Sequence, residues 1–215
     1  MNIFMNISGV YDDECWSLPD SAVLDFRSLE GCNCYCTSEA ETAFRNAIAP
    51  LPLRSVHWID TGDYHYLSKI WMEKAEEPFA LALFDNHPDD QPDAFGSGLL
   101  SCGSWVAEAR KSLPLLKATV LNGTGIPEGL PVYLSIDLDV MPREYARTDW
   151  TQGEMSLDSL LSAVGTISAE HRILGIDICG GLTAAKGATA EDLAVNSRTR
   201  NALAAYCASH PLVSG

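Results

Sequence analysis

The strongest constraint on this chain is a series of short apolar runs, each suited to a strand, with stretches of helical character between them. Phe79–Phe84 reads FALALF and Val132–Ile136 reads VYLSI. The first run is apolar on both faces, and the second is another buried strand. Such strands belong inside a mostly parallel sheet with helices packed on each side. Further strands are expected over Asn2–Ser8, Ala22–Phe26, Arg54–Ile59, Ala118–Leu121 and Arg172–Ile178. Helices are expected from Ser38 to about Ile48 and over Tyr64–Ala75, Ser104–Leu113, Ser156–Ser168 and Glu191–Ser209. Ser38 and Glu41 have capping-box spacing, and Leu157, Leu160, Leu161 and Val164 form one helical stripe. The expected fold class is α/β, a three-layer α/β/α arrangement. With no internal repeat and no clear linker, residues 1–215 read as a single domain.

Composition narrows the function. The chain has 215 residues, 47% hydrophobic and 20% charged, enough to bury a substantial core. Its formal net charge of −15 repels phosphate backbones and anionic headgroups, so neither a nucleic-acid nor a membrane partner is expected. An acidic surface suits cationic ligands, although acidity also serves solubility. The seven cysteines are an odd set, and the N-terminus lacks a basic, apolar, small-residue signal pattern. No stretch of about 18 apolar residues occurs. The expected location is the cytoplasm, with reduced thiols.

In parallel sheets of this kind, ligands bind beyond the C-terminal ends of the strands. FALALF runs into Asp85-Asn86-His87-Pro88-Asp89, and VYLSI runs into Asp137-Leu138-Asp139. In each motif the polar residues alternate, and an extended backbone would point them to one side. The bland reading of the first is a polar turn ending a strand. For the second it is a strand-end turn with one carboxylate capping a helix. No helix is expected there, because Pro142 and a polar loop follow. A third segment, Thr61-Gly62-Asp63-Tyr64-His65, places His65 at a helix start. Together they supply four aspartates, Asp85, Asp89, Asp137 and Asp139, and two histidines, His65 and His87. Unpaired carboxylates so close would repel, and two divalent cations match their charge. Mixed oxygen and nitrogen donors favour Mn, Fe, Co, Ni or Zn over Ca or Mg. Two ions about 3.5–4 Å apart can activate one shared hydroxide.

These segments resemble the ureohydrolase superfamily of arginase, agmatinase and formimidoylglutamase. The family carries Gly-Asp-His, then Asp-x-His-x-Asp, then Ser-x-Asp-x-Asp. Here the order is Gly62-Asp63-Tyr64-His65, Asp85 to Asp89, and Ser135-Ile136-Asp137-Leu138-Asp139. The resemblance spans roughly residues 55–205 and implies an arginase-like fold. It implies one metal, manganese foremost, held by His65, Asp85, Asp89 and Asp137. A second would be held by His87, Asp85, Asp137 and Asp139. The implied reaction is hydrolysis of a linear C–N bond in a guanidino, amidino or formimino-type small molecule by a metal-bridging hydroxide, with Asp89 orienting the attack. Relatives are commonly homo-oligomers.

Four departures are visible. Tyr64 is one residue extra in the first motif, and the chain is shorter than a usual arginase. The family's shuttle histidine falls near Cys102, a candidate catalytic thiol that reads equally well as a small buried residue. The family's guanidinium-holding glutamate falls at Gly180, with Glu154, Glu191 or Asp192 as possible substitutes and Asp177 as a supporting carboxylate. A catalytically degenerate metal-binding relative and a two-metal phosphoesterase are the rival readings.

Other features weigh less. Trp150 lies in the loop after Asp139 and is a candidate substrate-lining residue. Cys32-Asn33-Cys34-Tyr35-Cys36, with Cys15 as a fourth thiol, lacks the usual Cys-x2-Cys zinc spacing. It reads as a packed strand or turn, with a redox-sensitive thiol as the outside alternative. Asn122-Gly123-Thr124-Gly125 lacks the lysine of a phosphate loop and reads as a turn.

Overall fold

A computed structural model describes residues 1–92 and 99–210 of the chain. Its elements in order are β1 (Asn2–Asn6), α1 (Val10–Asp13), β2 (Ser21–Asp25), β3 (Tyr35–Cys36), α2 (Ser38–Ile48) and β4 (Val56–Ile59). Then follow α3 (Leu67–Met72), β5 (Phe79–Phe84), β6 (Leu100–Ser101), α4 (Trp105–Ser112) and β7 (Leu116–Leu121). The last are β8 (Val132–Asp137), α5 (Leu157–Glu170), β9 (Ile173–Cys179) and α6 (Ala190–Ser209). Seven strands form one sheet in the order β2-β1-β4-β9-β8-β5-β7, and every pairing in it is parallel. The short β3 and β6 pair with each other, antiparallel.

The doubly apolar strands explain the layers. Phe79, Leu81 and Leu83 of β5 pack with Phe44 of α2, Ile70 and Trp71 of α3 and Val106 of α4. The alternate residues Ala82 and Phe84 join Leu134 and Ile136 of β8, then Leu160 and Val164 of α5 and Leu203 of α6. A one-residue slip would exchange the two sets, so burial on both faces fixes the register. That register pairs Phe84 with Ile136, Asp137 with Cys179, and Cys179 with Ile59. The C-terminal ends of β5, β8, β9 and β4 therefore finish side by side.

Local chemistry adjusts several expected boundaries. Thr37, not Ser38, caps α2 through its hydroxyl, which accepts from the Ala40 N–H, while Glu41 pairs with Arg45. The expected Tyr64–Ala75 helix divides into a 3-10 turn over Gly62–Tyr64 and then α3. α6 begins at Ala190 because Thr189 and Asp192 form a reciprocal capping box. A short helical turn does follow Asp137, contrary to expectation. It is a 3-10 turn over Leu138–Val140, and the Asp137 side chain accepts from the Asp139 N–H. Pro142 excludes a longer helix but leaves room for one turn. The Asn122 stretch is a turn, with Asn122, Gly123 and Gly125 at positive φ.

Candidate metal centre

The first histidine comes from the turn after β4. Its Gly62–Tyr64 segment accommodates Tyr64, whose ring packs into the core, and leaves His65 as the turn's last residue. His65 is buried, and its Nε2 lies 2.8 Å from the Ser135 hydroxyl on β8. Its Nδ1 lies 3.1 Å from Asp85 Oδ2, 3.2 Å from Asp89 Oδ2 and 3.6 Å from Asp137 Oδ2. Ser135 engages one ring nitrogen and so turns the other towards three carboxylates.

The second motif converges by a route different from the expected extended one. The backbone turns after β5, with the His87 N–H donating to Asp85 Oδ1 at 2.6 Å and Asp89 at φ +46°. A left-handed aspartate is an uncommon conformation, retained where its surroundings over-determine it. Here α4 does so, because Asp89 O accepts from the Val106 N–H and Asp89 Oδ2 from the Trp105 indole at 2.7 Å. His87 is partly exposed. Its Nδ1 lies 2.9 Å from Asp139 Oδ2 and 3.5 Å from Asp85 Oδ1, and its Nε2 lies 2.8 Å from the Thr151 hydroxyl. The Asn86 N–H donates to Asp139 Oδ1.

Asp85 thus offers one oxygen to each histidine. Two compact donor groups result, His65 with Asp85 and Asp89, and His87 with Asp85 and Asp139. Asp137 joins His65 and Cys179 in a third group, and its other oxygen is taken by the Asp139 N–H. All six residues line one cavity of about 270 Å³, together with Trp150, Cys34, Cys102, Gln91 and Ser101. The Trp150 ring lies edge-on to His87, 6.0 Å between centroids.

Electrostatics make the cluster a candidate cation site. Burial, reinforced by the Asp85 charge, pushes the Asp137 carboxyl up to about 7. Burial together with Asp137 and Asp85 pushes Asp139 up to about 10. Burial also raises Asp89, against the pull of His65. For Asp85 burial is outweighed by hydrogen bonds from both histidines, which hold it at about 2. Burial opposes charge on His65, yet Asp85 and Asp89 raise its pKa well above the usual value. Crowded carboxylates that must retain protons are the condition a bound divalent cation relieves. The donor set, imidazole nitrogen plus carboxylate oxygen, fits such ions.

The remaining candidates are placed as follows. Cys102 is at the cavity wall, its thiol pushed up by burial first and then by Cys34 and Asp89, which disfavours proton transfer near neutral pH. Gly180 has φ +104°, and a Cβ there would lie 2.7 Å from Asp137 Oδ1, so a larger residue would collide with the site. Glu154, Glu191 and Asp192 are not among the residues lining the cavity, and Asp192 is committed to Thr189 and Arg147. Asp177 is buried below the site, bonded to His57 Nδ1 and the Tyr133 hydroxyl, each at 2.7 Å. Cys15 is exposed, Cys32 and Cys36 are buried, and among the described residues none of Cys15, Cys32, Cys34 and Cys36 joins a metal-binding group. Sequence reasoning missed Trp105, Thr151 and the role of Ser135. The one available signal was that an indole N–H at a helix start must find an acceptor when buried.

No family model matches the chain. A protein of Thermotoga maritima described as uncharacterized is 30% identical over 196 residues, covering 82% of this chain and 78% of that one. Among solved structures, proclavaminate amidino hydrolase from Streptomyces clavuligerus matches with a TM-score of 0.62 at 12% identity, over 95% of this chain and 90% of that one. A hypothetical agmatinase from Burkholderia thailandensis matches with a TM-score of 0.61 at 18% identity, over 96% and 84%. A triple mutant of the T. brucei arginase-like protein bound with Mn2+ matches with a TM-score of 0.52 at 15% identity, over 84% and 80%. The fold is therefore that of the ureohydrolases, an arginase-like α/β/α architecture. Within that fold, the chain belongs to one family with the Thermotoga maritima protein. No helix among the described residues is long and apolar enough to cross a membrane.

Proposed function

We propose that the protein is a binuclear metal-dependent hydrolase of a linear C–N bond in a small guanidino, amidino or formimino-type molecule. The observation that carries this reading is Asp85, buried between His65 and His87 with one carboxylate oxygen facing each. That arrangement suits a carboxylate shared by two ions. His65, Asp85, Asp89 and Asp137 would hold one, and His87, Asp85, Asp137 and Asp139 the other. Manganese is the first choice, in line with the T. brucei arginase-like mutant bound with Mn2+. Fe, Co, Ni and Zn suit the same donors. When bound, the pair supplies Lewis acidity and a water activated at neutral pH. The chain's own contribution is positional. Asp89, held by Trp105 and α4, orients the attacking water through a hydrogen bond, and Trp150 covers the side of the cavity nearest His87. Cys102 serves as wall rather than as proton carrier.

The remainder of the reading is a cytoplasmic setting, a homo-oligomer and neither nucleic acid nor membrane as partner. Among the described residues, the cavity-lining carboxylates are all in the ligand set. Recognition of the substrate beyond its reactive carbon would then fall to neutral groups such as Gln91, Ser101 and Trp150.

Elemental analysis after loading with manganese and dialysis, beside Asp85→Ala, tests the centre. Two equivalents in the parent and fewer in the variant are expected. Turnover of a guanidino, amidino and formimino panel, with a phosphate ester as the contrasting substrate, tests the reaction. His65→Ala and Asp137→Ala should abolish it. Full activity in Asp137→Ala would end the assignment.

A further inference from the structure

The cavity wall carries two thiols that the hydrolytic reading does not use. Tyr35 pairs with Ser101 and Cys36 with Leu100, and Cys34 and Cys102 sit at the end of this short pairing. The Cys102 N–H donates to Cys34 O at 2.9 Å, and the two thiols are in hydrogen-bonding contact. Both line the cavity beside Asp89 and His65. The backbone hydrogen bond and the thiol contact together bring the two side chains close enough for a disulfide, whose Cα atoms lie about 4.4–6.8 Å apart. Cys34 has φ +58°, a left-handed conformation unusual for a residue with a side chain and a mark of functional positions. Its thiol also donates to the Asp63 carboxylate, which takes Lys186 Nζ at 2.5 Å. The neighbouring thiols are committed elsewhere, Cys32 to Leu29 O and Cys36 to Tyr66.

We propose that Cys34 and Cys102 are a dithiol that closes reversibly to a disulfide across the wall of the metal cavity. The co-reactant is a low-molecular-weight disulfide such as glutathione disulfide. The Cys34 thiol gives up its proton to solvent base at alkaline pH, and the thiolate attacks one sulfur of the co-reactant, releasing one glutathione thiolate. Cys102, on losing its proton, attacks the Cys34 sulfur of that mixed disulfide and releases the second. Two electrons pass from the cysteines to the glutathione pair, and excess thiol reverses both steps. The closed bond ties the Cys34 segment to the Cys102–Ser104 segment. Gly103 O of the latter accepts from the Gln91 N–H, two residues beyond Asp89. Closure therefore stiffens the wall that positions Asp89, a consequence that rests on the metal-centre reading, whereas the bond itself does not.

The experiment is incubation of the full chain in glutathione disulfide at mildly alkaline pH, followed by peptide mapping and thiol titration. The expected product is a Cys34–Cys102 cross-linked peptide, with two titratable thiols lost, full reversal by dithiothreitol and a higher Tm when oxidised. Exposed Cys15 is free to take up a glutathione, which the map resolves separately. Cys34→Ser and Cys102→Ser should each abolish the cross-link, and circular dichroism checks their fold. Cross-links joining other cysteines, or glutathione adducts alone, would overturn the proposal. If either variant fails to fold, the parent's peptide map decides. Because the readout is covalent, it stands or falls apart from metal content and turnover.

Discussion

Replacing Asp137 by asparagine should make the metal-free protein more stable while removing its capacity for metal. Asp137 is buried at the end of β8, its Oδ2 3.6 Å from His65 Nδ1 and its Oδ1 accepting from the Asp139 N–H at 2.9 Å. Burial and the Asp85 charge raise its carboxyl to about 7, against an ordinary value of about 3.9. Between those values the folded state keeps a proton that the unfolded chain releases, so stability falls as pH rises through that window and stays lost above it. Three pKa units at about 1.36 kcal/mol each set a ceiling of about 4 kcal/mol. The Asp137 charge also acts on Asp139, so the two titrate together and about 2–4 kcal/mol is the working range. Asparagine keeps the oxygen that caps the Leu138–Val140 turn and loses the charge. Chelator-treated Asp137→Asn should then melt roughly 5–15 °C above the chelated parent at about pH 8. The gap should close near pH 4, where Asp137 of the parent is protonated. Manganese at about a hundred times its Kd should raise the parent by about 2.7 kcal/mol and the variant far less. A metal-free variant that melts at or below the parent at about pH 8, or a gap that does not depend on pH, would refute the argument.

The other predictions concern the residues behind the proposed ligands. Ser135→Ala removes the partner of His65 Nε2 at 2.8 Å, and should weaken manganese binding by about 10–100-fold in a chelator-competition titration. Arg200 is buried, with Nε donating to Glu14 Oε2 at 2.8 Å and Nη2 to Gly180 O at 2.6 Å. Arg200→Ala should cost about 3–5 kcal/mol in urea unfolding, because the Glu14 charge is left buried and alone. The double change Glu14→Gln with Arg200→Met should cost clearly less. Gly180→Ala places a methyl 2.7 Å from Asp137 Oδ1 at φ +104°. It should cost about 1–3 kcal/mol of stability and loosen metal binding, and an unchanged manganese titration would count against Gly180 as a packing constraint on the site.

The sequence exposes the layers of this fold because a parallel sheet covered on both faces leaves runs like FALALF with no polar alternation. It exposes the six candidate ligands for a related reason. Carboxylates directly after such runs have no structural partner to account for them. What it hides is the path by which they meet. Alternation in Asp85-x-His87-x-Asp89 suggests an extended edge. The residues instead converge through a turn held by the N-terminus of α4, which lies beyond the described part of the intervening loop. Trp105 holds Asp89 from there, and no spacing rule connects them. The cap on α2 differs for a local reason: Thr37 and Ser38 are equally able to cap, and Glu41 prefers Arg45. The Cys34–Cys102 contact is hidden because it depends on a two-residue antiparallel pairing between distant segments, too short to leave a periodic signal.

Strand order explains why a glycine stands at the position where the ureohydrolase resemblance implies a glutamate. β4 delivers His65 and β8 delivers Asp137, but they are not neighbours, because β9 runs between them. Whatever follows Cys179 therefore passes close to Asp137, one of the candidate ligands. Gly180 and Gly181 do so with φ values of +104° and +144°, and Arg200 holds the Gly180 carbonyl from the other side. A Cβ on Gly180 would meet Asp137, and one on Gly181 would meet the Arg200 guanidinium at 2.6 Å. Both collisions would move groups that position the centre, so the two glycines and the buried arginine form one structural solution. A carboxylate at residue 180 could be admitted only by displacing Asp137. On the proposed reading, the space beneath Asp137 is filled by packing, and selectivity would arise on the other wall of the cavity, which Trp150, Gln91 and the two thiols line.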